Sequence, residues 1–106
     1  MITIYGLKNC DSCRKAIKVL HATLVDVRRD GVPDDIMSRA LASFGTALVN
    51  TRSTTWRGLS EAERRKSPQE LLKAHPTLIK RPLIAVHDRL FLGWNKEIEA
   101  EVKAAI

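Results

Sequence analysis

The sequence has no apolar run close to the roughly 18 residues that a membrane-crossing helix needs. Aromatic residues are also scarce, at 5% of 106. With basic residues spread along the chain and no DNA- or RNA-binding motif, that scarcity weighs against direct nucleic-acid contact. Cysteine occurs only twice, three positions apart, which excludes the disulfide framework of a small secreted domain. Repeats, low-complexity tracts and linker-like stretches are absent. The N-terminus reads as a strand, lacking the basic-then-apolar pattern of a signal peptide, so a cytoplasmic protein without membrane attachment is expected.

What remains is the composition of an ordinary globular domain: 44% hydrophobic residues and a mean hydropathy of -0.17. The length fits a single domain over residues 1–106 with a modest core. The formal charge is +6 and the isoelectric point about 9.8. Such a balance favours an anionic substrate or an acidic protein surface, beside the plain alternative of a basic solvated surface.

The first thirteen residues organise the rest. Met1-Ile-Thr-Ile-Tyr5 is an apolar, β-branched run suited to a buried strand, and Gly6 breaks it. Residues 14–20 read as an amphipathic helix, with Ala16, Ile17, Val19 and Leu20 available to the core. Cys10 and Cys13 therefore fall in a strand-to-helix turn, where free N–H groups and the helix dipole favour a thiolate.

A second strand is expected over residues 23–27, closed by a turn at Asp30-Gly31. A helix follows over 34–44, with Pro33 and two aspartates at its start and Gly45 at its end. The polar stretch 50–56 ends in Trp56, either tucked into the core or carried on a solvated loop. Short helices are expected over 60–65, opened by Ser60 and Glu63 as a capping box, and over 68–74, opened by Ser67-Pro68. A strand begins at Leu83, Asp88 and Arg89 turn the chain, and 90–92 return as the second hairpin strand. Asn95 can cap a last helix over 96–105. The order is βαβ, a helical block inserted over about 34–75, then ββα: an α/β chain with the arrangement of the thioredoxin-like fold.

Three constellations can carry chemistry. Cys10, first in its turn and flanked by Lys8, Arg14 and Lys15, is expected to be the more exposed and nucleophilic thiol. Cys13, one turn on, can reach it and resolve an adduct on it. A metal site and a pair of inert thiols are the alternatives, and the first lacks ligands because His21 and His75 have no metal-binding spacing. Arg81-Pro82 precedes an apolar strand, where an X-Pro bond is a candidate for the cis isomer and Arg81 can hold an anion bidentately. An exposed arginine beside a turn proline is the plainer reading. The stretch Asn50-Thr-Arg-Ser-Thr-Thr-Trp56 suits either an oxyanion or peptide contact or a solvated loop. His21, His75 and His87 are expected to be structural, and Trp94 to pack in the core or at the start of the last helix.

Tyr5-Gly-Leu-Lys-Asn-Cys-Asp-Ser-Cys-Arg-Lys-Ala16, Asn50-Thr-Arg-Ser-Thr-Thr-Trp56 and His75-Pro-Thr-Leu-Ile-Lys-Arg-Pro-Leu83 together resemble the arsenate reductase (ArsC) family, which includes the YffB-like proteins and Spx. The resemblance runs from Met1 to about Ile98. It implies a thioredoxin-like fold with an inserted helical block, a nucleophilic cysteine at Cys10 and an oxyanion-binding arginine at Arg81. The family's two other arginine positions fall on Asn50, with Arg52 two residues away, and near Leu92 and Gly93, so arsenate itself should be bound weakly. Lys8-Asn-Cys-Asp11 and Thr54-Thr-Trp-Arg57 are similar to the YffB-like branch, which implies glutathione-dependent thiol reduction. Cys10-x-x-Cys13, Thr51-Arg-Ser53 and Gly93-Trp-Asn95 are similar to Spx, which implies a redox switch on the C-terminal domain of the RNA polymerase α subunit.

The reading is thus a cytoplasmic, monomeric thiol–disulfide oxidoreductase, with glutathione as co-substrate or glutaredoxin as partner and no tightly bound cofactor or metal. Cys10, Cys13 and Arg81 carry the chemistry, with Asn9, Asn50, Arg52 and Pro82 as substrate contacts. The alternative is a regulator resembling Spx.

Overall fold

β-branched and aliphatic residues pair with one another across a mixed sheet. In the computed structural model, which describes residues 2–106, β1 (Ile2–Gly6) runs parallel to β2 (Thr23–Asp26) and antiparallel to β3 (Leu83–Val86). β3 pairs antiparallel with β4 (Arg89–Leu92), giving the order β2-β1-β3-β4. The chain divides into two units, Met1–Gly31 with Arg81–Ile106, and Val32–Lys80.

The first unit holds this sheet. Its register sets Leu24, Ile4, Ile84 and Phe91 in one row across the strands. Ala16 and Leu20 of α1 (Asp11–Leu20) and Val102 of α7 (Lys96–Ala105) pack against the same row, closing a core with Val86. Burying an aliphatic side chain of this size contributes about 1.5–3 kcal/mol each, so the row fixes strand register as well as stability. Trp94 and Ile98 lie partly buried against this core. Asn95 caps α7 by accepting the Ile98 N–H at 2.8 Å.

Local details differ from the sequence expectations. α1 starts at Asp11, and its buried side is Cys13, Ala16 and Leu20, spaced three and four apart. Val19, expected in the core, falls off that stripe and is 41% exposed. Gly6 ends β1 rather than breaking it, pairing with Asp26. Val27 leaves the sheet: the Asp26 carboxylate accepts the Arg28 N–H at 2.9 Å and starts a short helix, α2 (Val27–Asp30). The hairpin turns at His87 and Asp88, with His87 at φ 54°, and Arg89 already belongs to β4.

The second unit is helical. α3 (Asp34–Phe44) covers the expected span and stops at Gly45, whose φ is 55°. A 3-10 turn over Gly45–Leu48 leads to α4 (Thr54–Arg57), which lies in the stretch expected to be irregular. α5 (Glu61–Arg64) and α6 (Pro68–Ala74) follow, capped by Ser60 and Ser67 through the N–H groups of Glu63 and Glu70. After a second 3-10 turn, Pro76–Leu78, the chain pairs with itself. Asn50 N–H donates to Leu78 O at 2.7 Å and Lys80 N–H to Leu48 O at 2.8 Å, around a Val49–Ile79 bridge.

With βαβ and ββα portions forming one sheet and a helical block between β2 and β3, the fold is thioredoxin-like. Among the described residues no helix is long and apolar enough to cross a membrane.

Candidate thiol site

The β1–α1 junction sets the two cysteines in different environments. Cys10 is the N-cap residue of α1, extended at φ -88° and ψ 120°. Its N–H donates to Leu7 O at 3.2 Å, and its carbonyl accepts the Arg14 N–H at 3.0 Å. Its side chain makes no capping hydrogen bond, and the thiol is partly exposed at the positive end of the helix. Cys13 stands one turn on and is fully buried. Both thiols are free.

Burial pushes the Cys13 thiol up to about 12, because a thiolate there would lose its water. A backbone hydrogen bond at Leu7 opposes the rise, while the hydrogen bond with Cys10 and the charge of Cys10 reinforce it, and the Arg81 charge opposes it. Cys10 lies near enough for its side chain to favour the protonated form of Cys13. The arrangement keeps a proton on Cys13 and leaves Cys10 as the more exposed thiol.

The flanking charges are arranged around this pair. Asp11, the acid next to Cys10, is held by Arg14 at 2.6 Å, one turn along the exposed side of α1. Arg81 lies close enough to act on Cys13, and the Arg81–Pro82 peptide is cis. Pro82 is buried, and its carbonyl accepts the Gly93 N–H at 2.8 Å. Asn9 is exposed in the turn before Cys10. The first unit therefore brings Cys10, Cys13 and Arg81 together.

Asn50 and Arg52 belong to the second unit. Asn50 Oδ1 accepts the Arg52 N–H at 3.0 Å, and Asn50 O accepts the Ser53 hydroxyl at 3.0 Å, so the Asn50 side chain shapes its own turn. The Arg52 side chain is exposed. Ser53 caps α4 through the Trp56 N–H at 3.1 Å. Trp56 is half-buried, with the Arg64 guanidinium 5.5 Å above its ring. His75 approaches the Glu63 carboxylate at 3.4 Å, whereas His21 and His87 are exposed. Among the described residues no three His, Cys, Asp or Glu side chains converge on a metal position.

Two residues of the junction were not among the sequence candidates. Leu7 supplies the backbone contacts to both cysteines. Gly6 faces Cys13 so closely that a Cβ would overlap its Sγ. The signal for Gly6 was a glycine closing a strand opposite the first turn of a cysteine-bearing helix.

Comparison with known proteins agrees with this geometry. Residues 5–102 match the ArsC family. An uncharacterized protein of Haemophilus influenzae is 41% identical over 111 residues, covering 94% of this chain and 97% of its own. The global transcriptional regulator Spx 2 of Bacillus anthracis is 28% identical over 108 residues, 92% of this chain and 82% of its own. Among solved structures, the YFFB protein superposes with a TM-score of 0.83 and 28% identity over 100% of both chains. With the family match spanning both cysteines, the cis-proline loop and every strand but the start of the first, the chain belongs to the ArsC family.

Proposed function

We propose that this ArsC-family chain is a thiol–disulfide oxidoreductase coupled to glutathione or to a glutaredoxin. The observation that supports it most is the pair itself: a partly exposed Cys10 at a helix N-terminus, beside a buried, protonated Cys13. Cys10 thiolate attacks a substrate disulfide, forming a mixed disulfide and expelling one thiolate. Cys13 then loses its proton to solvent and attacks Cys10 Sγ, closing the Cys10–Cys13 disulfide and releasing the second thiolate. Two glutathione molecules return the pair to dithiol form and leave as glutathione disulfide.

The first step prepares the second. Once Cys10 is a neutral mixed disulfide, its charge no longer opposes ionisation of Cys13, while the Leu7 hydrogen bond and Arg81 still favour it. Arg81 also holds an anionic group of the substrate, such as a glutathione carboxylate, beside the sulfur. Asn9, Asn50 and Arg52 are lesser contacts, and Pro82 shapes the wall of the site. Asn50 in place of a family arginine favours a thiol substrate over arsenate. The protein acts as a cytoplasmic monomer without a tightly bound cofactor. Turnover of a glutathione mixed disulfide, measured before and after Cys10→Ser, tests the mechanism; activity surviving the substitution ends it.

The match to Spx 2 over 82% of that regulator's length favours a second reading. Here the same Cys10–Cys13 pair is a switch, and the chain binds the C-terminal domain of the RNA polymerase α subunit. Titrating that purified domain with reduced and with oxidised protein separates the readings. Saturable binding that changes with oxidation supports the switch, and no binding in either state removes it.

A further inference from the structure

We infer that Gly6 is a positioning residue for the resolving step, because the space its missing side chain leaves at the end of β1 is what the Cys13 sulfur occupies when it reaches Cys10. The inference rests on the oxidoreductase reading above and names the device that makes its second step fast. Gly6 is buried, and its backbone does not lie in the left-handed region that would by itself call for glycine. An alanine would therefore meet no backbone strain. What it would meet is Cys13: the added Cβ would overlap Sγ, while the next neighbours, Cys13 Cβ at 3.4 Å and Ile4 Cγ2 at 3.9 Å, are at ordinary contact. The glycine is required here by one sulfur atom.

In this place the sulfur is near enough to Cys10 to interact with it, and Leu7 and Arg81 favour its ionisation there. A methyl group on residue 6 forces Sγ out of this place by rotation about the Cys13 Cα–Cβ bond. That rotation separates the attacking sulfur from Cys10. Cys10 itself is held by Leu7 O and by the Arg14 N–H, neither of which involves Gly6. The glycine thus acts on the second thiol and leaves the first nucleophile in place.

The test follows the reaction with glutathione disulfide by mass spectrometry after acid quench. Cys10 thiolate takes one glutathionyl group and releases one glutathione thiolate. Cys13, on losing its proton to solvent, displaces the second and closes the intramolecular disulfide. In the parent protein the glutathionylated form is transient. In Gly6→Ala it accumulates, with closure slowed on the order of 100-fold, the loss that a misplacement of about 1 Å causes. Iodoacetamide should still alkylate Cys10 in Gly6→Ala, as expected when the first nucleophile stays accessible. The destabilisation caused by Gly6→Ala should be recovered when Cys13→Ala is added, since that change removes the overlapping atom. Closure at the parent rate in Gly6→Ala, or a thermal loss that Cys13→Ala does not recover, overturns the inference.

Should Gly6→Ala fail to fold, the parent protein decides. Its Gly6 NMR signals should shift when the Cys10–Cys13 disulfide closes, and unmoved signals overturn the inference. If glutathione disulfide never reacts with Cys10 in the parent, the oxidoreductase reading falls first, and that result is distinct from either outcome for Gly6.

Discussion

The Arg81 charge acts on the Cys13 thiol from the loop before β3, drawing its pKa down while burial drives it up to about 12. The two residues are far apart in sequence and are brought together because β1 and β3 are neighbours in the sheet. Replacing Arg81 with methionine removes a side-chain charge that opposes the rise at Cys13. Closure of the Cys10–Cys13 disulfide at neutral pH should slow, and affinity for an anionic thiol such as glutathione should weaken by about tenfold, as expected for one lost charge-assisted bond. Stopped-flow quenching and a glutathione titration read the two effects separately. A variant with parent values for both would remove Arg81 from the site.

Because Cys13 is held protonated, the resolving step should depend on pH. Starting from the mixed disulfide on Cys10, the closure rate should climb about tenfold per pH unit until Cys13 ionises, following its thiolate fraction. In Cys13→Ser the mixed disulfide should persist at every pH. A flat profile in the parent would show that another group carries the proton.

The same burial predicts alkaline sensitivity. A thiol whose folded pKa is about 12, against an ordinary value of 9.0, stabilises the fold fully below pH 9. That contribution is lost as pH rises from 9 toward 12, because the unfolded chain gains a thiolate that the folded chain refuses. Thermal melts across this range should fall more steeply for the parent than for Cys13→Ala. Equal slopes would contradict the burial argument.

Glu63 gives the opposite sign in acid. Hydrogen bonds from Lys66 at 2.8 Å and His75 at 3.4 Å hold its carboxyl below the usual glutamate value of 4.5. Its contribution is present above that value and disappears as pH falls below it. Glu63→Gln should therefore lower stability near pH 7 and converge with the parent as pH falls below 4.5, flattening the acid limb, a comparison made by melts between pH 3 and 7.

In the second unit, Arg64 ties α4 to α5. Its guanidinium donates to Trp56 O from Nε and Nη2, both at 3.2 Å, and to Arg57 O at 3.2 Å, while lying over the Trp56 ring. Arg64→Ala should cost about 1–2 kcal/mol, from charged hydrogen bonds that are partly exposed and a cation–π contact. The readouts are the melting temperature and Trp56 fluorescence, and an unchanged emission would place the ring elsewhere.

Much of this was legible from local chemistry. α3, α6 and α7 start at Asp34, Pro68 and Lys96, where the capping and proline signals put them. The cysteine turn was legible because a strand run, two thiols and an amphipathic run meet within twenty residues. What was hidden depends on partners distant in sequence. Val19 has the side chain of a core residue, yet the buried stripe of α1 runs through Cys13, Ala16 and Leu20. Val27 continues a β-branched run, but the Asp26 cap competes for the chain and wins. α4 was hidden because its cap, Ser53, sits in a run of hydroxyl residues where any could have served. Gly6 read as punctuation, since only the position of the Cys13 sulfur gives its lack of a side chain a purpose.

The central claim is that Cys10 attacks and Cys13 resolves, and one experiment addresses both. The reduced protein is mixed with glutathione disulfide, quenched at intervals and mapped by peptide mass spectrometry. The account predicts glutathione on Cys10 first, then its replacement by a Cys10–Cys13 disulfide with two glutathione thiols released per chain. Glutathione found first on Cys13, or a reaction that proceeds unchanged in Cys10→Ser, would contradict it.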